Sequence, residues 1–402
     1  MSAVRFGYVT GPVLGALWMV ILATTVAVAM SFVTGEAFRP AVLLSLAWGA
    51  VLGGAAVYRL GGRIGLWAGG LLIFVATIAG FGPMAIEAGA VARGAAGLVL
   101  GAAFAWSFGL ILEDLPSGAL SRHEFEAAVI RFLTGFGYIF FTAIVLIPFY
   151  VMVMTSLKNQ SELLQNPLDF SIDLSQGLGL FRSYVELIRD FNFGSYLWTS
   201  FYVSVLTVLI TLAFSIPGAY AVARLRFRGQ AMLSRSILLI YMVPMIVLAL
   251  PIYIAFSVTG LRNTIIGIVM IYPVTTIPVA LYMLQGYFRG LPAEIEEAGL
   301  MDGLSRLAVI WKITLPLSLP ALASVSLYVF MIAWNEFLLA FMLLDDPSKF
   351  TLTRGIASLN SSEIPRQHLM AGSVIATVPI MALFLGLERF MTKGLTAGSV
   401  KG

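Results

Sequence analysis

Cysteine is absent from this 402-residue chain, and histidine is reduced to His123 and His368, far apart in sequence. Disulfides and thiolate metal sites are therefore excluded. Charge is also scarce. Only 11% of residues are Asp, Glu, Lys or Arg, against about 25% in a soluble domain. Such a chain cannot cover itself for water. The formal charge of +4 is small and its residues are scattered, which argues against a nucleic-acid partner. No segment reads Gly-x4-Gly-Lys-Ser/Thr. A phosphate-binding loop needs that glycine turn, lysine and hydroxyl, so the chain is not expected to bind ATP itself. Paired intramembrane acids and a nucleophile–base set are missing as well, which leaves a membrane-embedded enzyme without chemistry.

Hydrophobic residues take up the space. They make up 59% of the chain, with mean hydropathy +0.95. A membrane-spanning helix needs roughly 20 mostly apolar residues. Candidate spans are 8–33, 40–58, 64–86, 94–112, 131–156, 195–223, 232–258, 263–287, 317–344 and 369–391. The fold class expected is an all-α polytopic membrane protein of about ten spans. The first four spans are rich in Gly and Ala and have short loops. The later six have longer loops and more proline. The composition shift sets an N-terminal membrane region over 1–125 and a core over 126–402. Basic residues in short loops set orientation. The larger set, with Arg122, Arg224, Arg226, Arg228, Arg289, Arg306 and Lys312, puts both termini and the 288–316 loop on the cytoplasmic side. Segments 157–194 and 345–368 then face out.

The 288–316 loop is a polar island between two spans. Pro292 suits the first position of a helix. Glu294, Glu296 and Glu297 fall in its first turns, where the helix dipole favours acids. Ile295, Ala298 and Gly299 form a narrow face, and Asp302-Gly303 stops the helix. Ser305 can cap a second helix that carries Leu307, Ile310 and Trp311 on one side. On physical grounds alone, this hairpin either lies on the bilayer surface or fits a partner's groove.

Glu297-Ala298-Gly299, three residues, Gly303, nine residues, then Ile313-x-Leu315-Pro316 resembles the EAA loop of ABC-importer permeases. Gly299 stands where a second Ala is usual. Further resemblances are Met154-Thr155-Ser156-Leu157-Lys158, the run Ala219 to Gly229, Ala333-Trp334-Asn335-Glu336-Phe337 and the closing Gly394 to Gly402. Together they are similar to the MalG-type subunit of carbohydrate importers over about 130–402. The resemblance leaves residues 1–125 unassigned.

The resemblance implies a bacterial cytoplasmic-membrane permease subunit for sugars or oligosaccharides. Its partners would be a second, MalF-like permease, two copies of an ABC ATPase that carry ATP and Mg, an extracytoplasmic solute-binding protein, and membrane lipid. Glu296, Glu297, Ala298, Gly299, Asp302, Gly303, Leu315 and Pro316 would form the ATPase contact. Leu395, Thr396, Ala397 and Gly398, in the tail 392–402, would reach the ATPase pair. Trp334, Asn335 and Glu336 suit a sugar path, because aromatic faces stack on sugars while amide and acid bond hydroxyls. The plain alternative for this trio is a helix-packing contact. An ion-coupled secondary transporter, or an ABC importer of glycerol-phosphate or a polyol, are the competing functions.

Gly7-x3-Gly11-x3-Gly15 and Gly65-x3-Gly69 are spaced for close helix packing. Arg224-Leu225-Arg226-Phe227-Arg228 reads as a membrane-surface anchor, with a contact to the ATPase or a partner permease as the alternative. Glu113-Asp114 and His123-Glu124-Phe125-Glu126 read as a solvated linker, because HEFE lacks the spacing of a zinc helix.

Overall fold

Hydrocarbon offers no partners to backbone amides, so apolar runs of this length satisfy them internally as helices. The computed structural model describes all residues except 1–4, 59–61, 113–114, 167–168, 170, 173, 362 and 397–402. At 62–63, 174, 238, 241 and 388–396 it describes the backbone only. The chain forms two compact units, Met1–Leu180 and Phe181–Gly402.

The first unit holds α1 (Gly7–Thr34), β1 (Ala37–Pro40), α2 (Val42–Val57), α3 (Gly62–Ile78), β2 (Met84–Glu87), α4 (Ala90–Ile111), α5 (Arg122–Ser156) and α6 (Gln160–Gln165). The helix pairs α1–α2 and α3–α4 pack most closely, and both α1 and α4 touch α5. Glycine permits these approaches. A Cβ on Gly15 would sit 2.3 Å from the Gly49 carbonyl, and one on Gly53 would sit 2.4 Å from that of Gly11. The α3–α4 approach uses Gly70 against Gly101, where a Cβ would lie 2.5 Å from the carbonyl. Of the expected Gly65–Gly69 pair, Gly69 faces α2 instead, where a Cβ would lie 3.2 Å from Leu52. Trp18, Met19, Phe104 and Phe108 fill the core.

Ser121 and Glu124 form a reciprocal capping box at the start of α5, a local signal that fixes where this helix begins. Trp18 packs edge-on against Phe132 of α5. Near the other end of α5, Tyr150 stacks on Phe32 and its hydroxyl donates to the Phe32 carbonyl at 2.8 Å. Division by contacts therefore puts α5 with the preceding helices, whereas composition puts it with the following ones. The short antiparallel pair β1–β2 has no counterpart in the expected all-helical reading. It forms because span 64–86 ends as a helix at Ile78, after which Gly80 takes φ +83°.

The second unit holds α7 (Arg182–Asp190), α8 (Phe193–Arg224), α9 (Gln230–Tyr241), α10 (Met245–Val258), α11 (Ile265–Gly290), α12 (Ala293–Met301), α13 (Arg306–Val309), α14 (Leu315–Leu317), α15 (Leu319–Asn335), α16 (Leu338–Leu343), α17 (Leu352–Ser358) and α18 (Arg366–Thr396). A π-helical turn over Ile310–Thr314 joins α13 to α14. α8 packs along α11, and α15 packs on both α8 and α18. α8 lays Ser200, Ser204, Thr207, Thr211 and Ser215 inward, all buried, and Thr211 bonds Thr276 of α11 at 2.7 Å. Small polar residues let helices approach closely in membranes.

Among the described residues, six helices are long and apolar enough to cross a membrane alone: α1, α4, α5, α8, α11 and α18. Two expected spans are broken. Span 232–258 is split into α9 and α10 before Pro244, because proline bars a helical conformation from the residue ahead of it. Span 317–344 is split into α15 and α16 at Glu336, whose ψ of 123° is extended. The segment from Arg306 to Leu317 bends 78° from α15, so the polar loop turns sharply where it re-enters the apolar region.

Candidate functional site

The loop between α11 and α15 folds as the expected hairpin. Pro292 precedes α12, which bears Glu294 and Glu296 in its first turn. α12 closes in a hydrogen-bond pattern that uses a left-handed residue: the Gly303 amide donates to Leu300 at 3.1 Å and the Leu304 amide to Gly299 at 3.1 Å. Gly303 has φ +84°, which glycine takes without strain. Ser305 then caps α13 by accepting from the Ala308 amide at 3.3 Å.

The two faces of α12 differ. Glu296 and Gly299, three residues apart, point inward and are buried. Glu296 is only 7% exposed. Its carboxylate accepts from the Tyr220 hydroxyl at 3.1 Å and from Thr314 Oγ1 at 3.0 Å. The Arg224 guanidinium lies 3.5 Å from it and donates to the Leu291 carbonyl at 2.7 Å. Arg224, read from sequence as part of a surface anchor, is therefore turned inward and ties α8 to the hairpin. Arg226, Phe227 and Arg228 are exposed. Gly299 lies under Ile313, whose Cδ1 would be 2.5 Å from an added Cβ. Close packing of α12 on the returning segment needs a residue this small.

The outer face carries Glu297, Ala298 and Asp302. Beside them stand Met301, Leu307 and Trp311, which are 88%, 70% and 71% exposed. Pro316 is exposed and Leu315 is half-buried. The hairpin thus presents a mixed acidic and apolar surface on a stem held rigid by a buried ion pair. Tyr220 and Thr314 were not singled out from sequence. Helical period is the signal that finds the inner face, because Glu296 shares it with Gly299.

The trio at the end of α15 has diverging roles. Trp334 is buried, stacks on Phe330 and donates its indole N–H to the Ala376 carbonyl at 3.1 Å. Asn335 is exposed and donates to the Met331 carbonyl at 2.9 Å. The Glu336 carboxylate accepts from the amides of Leu339 and Ala340 at 2.8 and 3.1 Å, capping α16. A 370 Å³ cavity lies beside it, lined by Phe337, Thr353, Ile356, Ala357, Asn360 and Leu369.

Of the tail residues, Leu395 and Thr396 end the backbone of α18, and Ala397 and Gly398 lie outside the described residues, as do Glu113 and Asp114. Among the described residues, no group of His, Asp and Glu is arranged to hold a metal ion.

Residues 215–396 match the family of binding-protein-dependent transport system inner membrane components. The chain is 37% identical to the inner membrane ABC transporter permease protein YcjP of Escherichia coli, over 66% of this chain and 95% of that one. It is 34% identical to the trehalose/maltose transport system permease protein MalG of Thermococcus litoralis, over 69% of this chain and 99% of that one. A crystal structure of a bacterial ABC transporter involved in the import of the acidic polysaccharide alginate shares the fold. It superposes with TM-score 0.57 at 22% identity, over 67% of this chain and 98% of that one. The chain therefore belongs to the binding-protein-dependent ABC-importer permeases: it is a multi-pass subunit of the bacterial inner membrane and not an enzyme, ATP hydrolysis in such systems occurring on separate ATPase subunits.

Proposed function

We propose that this chain is the MalG-type half of a sugar or oligosaccharide importer. It pairs with a second permease, two ATPase subunits and an external binding protein. The core of this permease is 126–402, and 1–125 is an added membrane region. Relatives that align nearly end to end yet cover only about two thirds of this chain support that division. The name of the Thermococcus relative supports a sugar cargo.

The observation that carries the reading is the two-faced hairpin. Its outer residues Glu297, Ala298, Met301, Leu307 and Trp311 are exposed, and its inner residues lock it to α8 through Arg224 and Tyr220. ATP-driven movement of the ATPase pair is delivered to the outer face. The lock makes α8 and α11 follow as a body. The tail contact with the ATPase pair is made by Leu395, Thr396, Ala397 and Gly398. On the path, Asn335 is the exposed member of its trio, while Trp334 and Glu336 set the break between α15 and α16.

Glu297→Lys in the full complex tests the docking. It reverses an exposed charge and disturbs no contact inside the chain. Uptake of radiolabelled sugar in vesicles should fall about tenfold or more, with less ATPase co-purifying and normal membrane insertion. Unchanged uptake and ATPase recovery would remove the docking assignment.

A further inference from the structure

A cavity of about 570 Å³ opens between α1, α4 and α5 in the first unit. Its lining is mostly apolar. Trp18 and Leu22 come from α1, Trp106 and Leu110 from α4, and Thr134 and Tyr138 from α5, with Arg131 as its charged member. The indole N–H of Trp18 is already used, donating to Ser107 Oγ at 2.9 Å. Trp106, Leu110, Ile130 and Tyr138 form an exposed rim.

Position along α5 gives the depth. Arg122, His123, Glu124, Glu126 and Arg131 occupy its first turns, and no charged residue follows from Phe132 to Met154. That uncharged run is roughly 35 Å of helix, about the hydrocarbon thickness of a bilayer. Arg131 therefore lies at the boundary where headgroup phosphates are. The capped, charge-bearing end of α5 is the cytoplasmic one by the distribution of basic residues, and the cytoplasmic leaflet is the one rich in anionic lipid.

Charge and depth decide the occupant. Lining residues from Ile130 to Ile139 span about 14 Å along α5. The cleft therefore has one cationic end at headgroup level, at Arg131, and an apolar remainder that runs into the hydrocarbon. That division matches an amphiphile with an anionic head and acyl chains. Guanidinium has five N–H donors, so Arg131 can take a phosphate in addition to another acceptor. We propose that this cleft is a binding site for one anionic phospholipid of the cytoplasmic leaflet, its phosphate at Arg131 and its acyl chains along Trp18, Leu22 and Leu110. The lipid joins the added N-terminal helices to α5. The proposal does not depend on the identity of the transported solute.

The test uses the purified full complex with lipid retention read by native mass spectrometry, titrated separately with phosphatidylglycerol and phosphatidylcholine. Wild type should retain phosphatidylglycerol in preference to phosphatidylcholine. Arg131→Gln should weaken that retention about ten- to a hundredfold, the range of a charge-assisted hydrogen bond. Arg131→Lys should restore part of it. Thr134→Trp, which fills the cleft without touching the charge, should also lower retention. The native chain has no cysteine, so a single cysteine at Leu110 reports the occupant. It should react with a lipid-phase maleimide and form no cross-link to another subunit. Equal retention of both lipids, or of phosphatidylglycerol by wild type and Arg131→Gln, would overturn the proposal. A Leu110→Cys cross-link to a partner subunit's helix would assign the cleft to protein instead.

Discussion

At the scale of single residues, two carboxylates show how position decides the role of one chemical group. Glu296 and Glu297 are neighbours in the same motif, yet one faces Arg224 and the other faces water. Removing a member of a buried pair leaves its partner's charge uncompensated, which costs on the order of 3 kcal/mol. Glu296→Ala is therefore expected to loosen the hairpin and lower the thermal stability of the complex, while Glu297→Ala should leave stability unchanged and affect coupling only. Melting temperature and uptake measured side by side separate the two, and equal melting shifts would refute the inner lock. Glu336 gives a second case. It looks like a substrate group in sequence because it is an acid amid apolar residues, but each of its oxygens accepts from an amide that starts α16. Glu336→Ala should cost about 1 kcal/mol, the worth of a lost helix cap. Glu336→Gln should recover part of that stability, because one oxygen still accepts. If both variants keep full stability but lose uptake, the carboxylate serves the substrate and not the cap. Helical period separates Glu296 from Glu297, but the partners of Glu296 are not visible in sequence, because Tyr220 and Arg224 come to it from α8, far along the chain.

Among the elements, those with local chemistry were legible. Pro292, Gly303 and Ser305 mark the hairpin's start, turn and second cap, and Ser121 with Glu124 marks the start of α5. Breaks were harder to read. Hydropathy passes smoothly through Pro244 and Glu336, so α9–α10 and α15–α16 each looked like one span. The strands β1 and β2 pair across α2 and α3, a partnership no local pattern announces. Contacts between α7 and α18 tie elements by charge instead. Glu186 of α7 accepts from the Arg182 side chain at 2.6 Å and pairs with His368 Nε2 of α18 at 2.8 Å. These two partners, Arg182 first, hold the Glu186 carboxyl below its ordinary range. A carboxylate with a lowered folded pKa contributes stability that is present above its unfolded pKa, about 4.3. That contribution is lost as pH falls through the lower folded value. The stability gap between wild type and Glu186→Gln should thus be steady from pH 7 to about 5 and close as pH drops below about 4. Melting curves across that range check it, and a gap that persists at pH 3 would show that the ion pair is not its source.

Across the whole molecule, the question is what α1–α4 do for the permease. α1–α4 carry close-packed glycines, and apart from Arg63 at the start of α3 and Arg93 at the start of α4 their apolar stretches hold no charge. They bring little that could bind a polar solute. What they do bring is surface for α5. Trp18 meets Phe132 at 5.8 Å between ring centres, and a Cβ on Gly135 would lie 2.8 Å from the Trp18 ring. Beyond the apolar run, Lys158 pairs with Asp169, and that segment approaches Gly35 at the end of α1. A truncation starting at residue 119 keeps Ser121 and Glu124, and so keeps the α5 cap. It removes every partner that α1–α4 give to α5. The truncated complex should therefore assemble in lower yield and melt at lower temperature, while the KM for sugar uptake and the order of preference among sugars stay as in the full chain. Cysteine accessibility locates the path independently. Single cysteines along 64–112 should react equally with and without substrate, and one at Asn335 should be protected by it. Selective protection of the 64–112 positions, or a changed sugar preference in the truncated complex, would mean that α1–α4 line the path rather than brace α5.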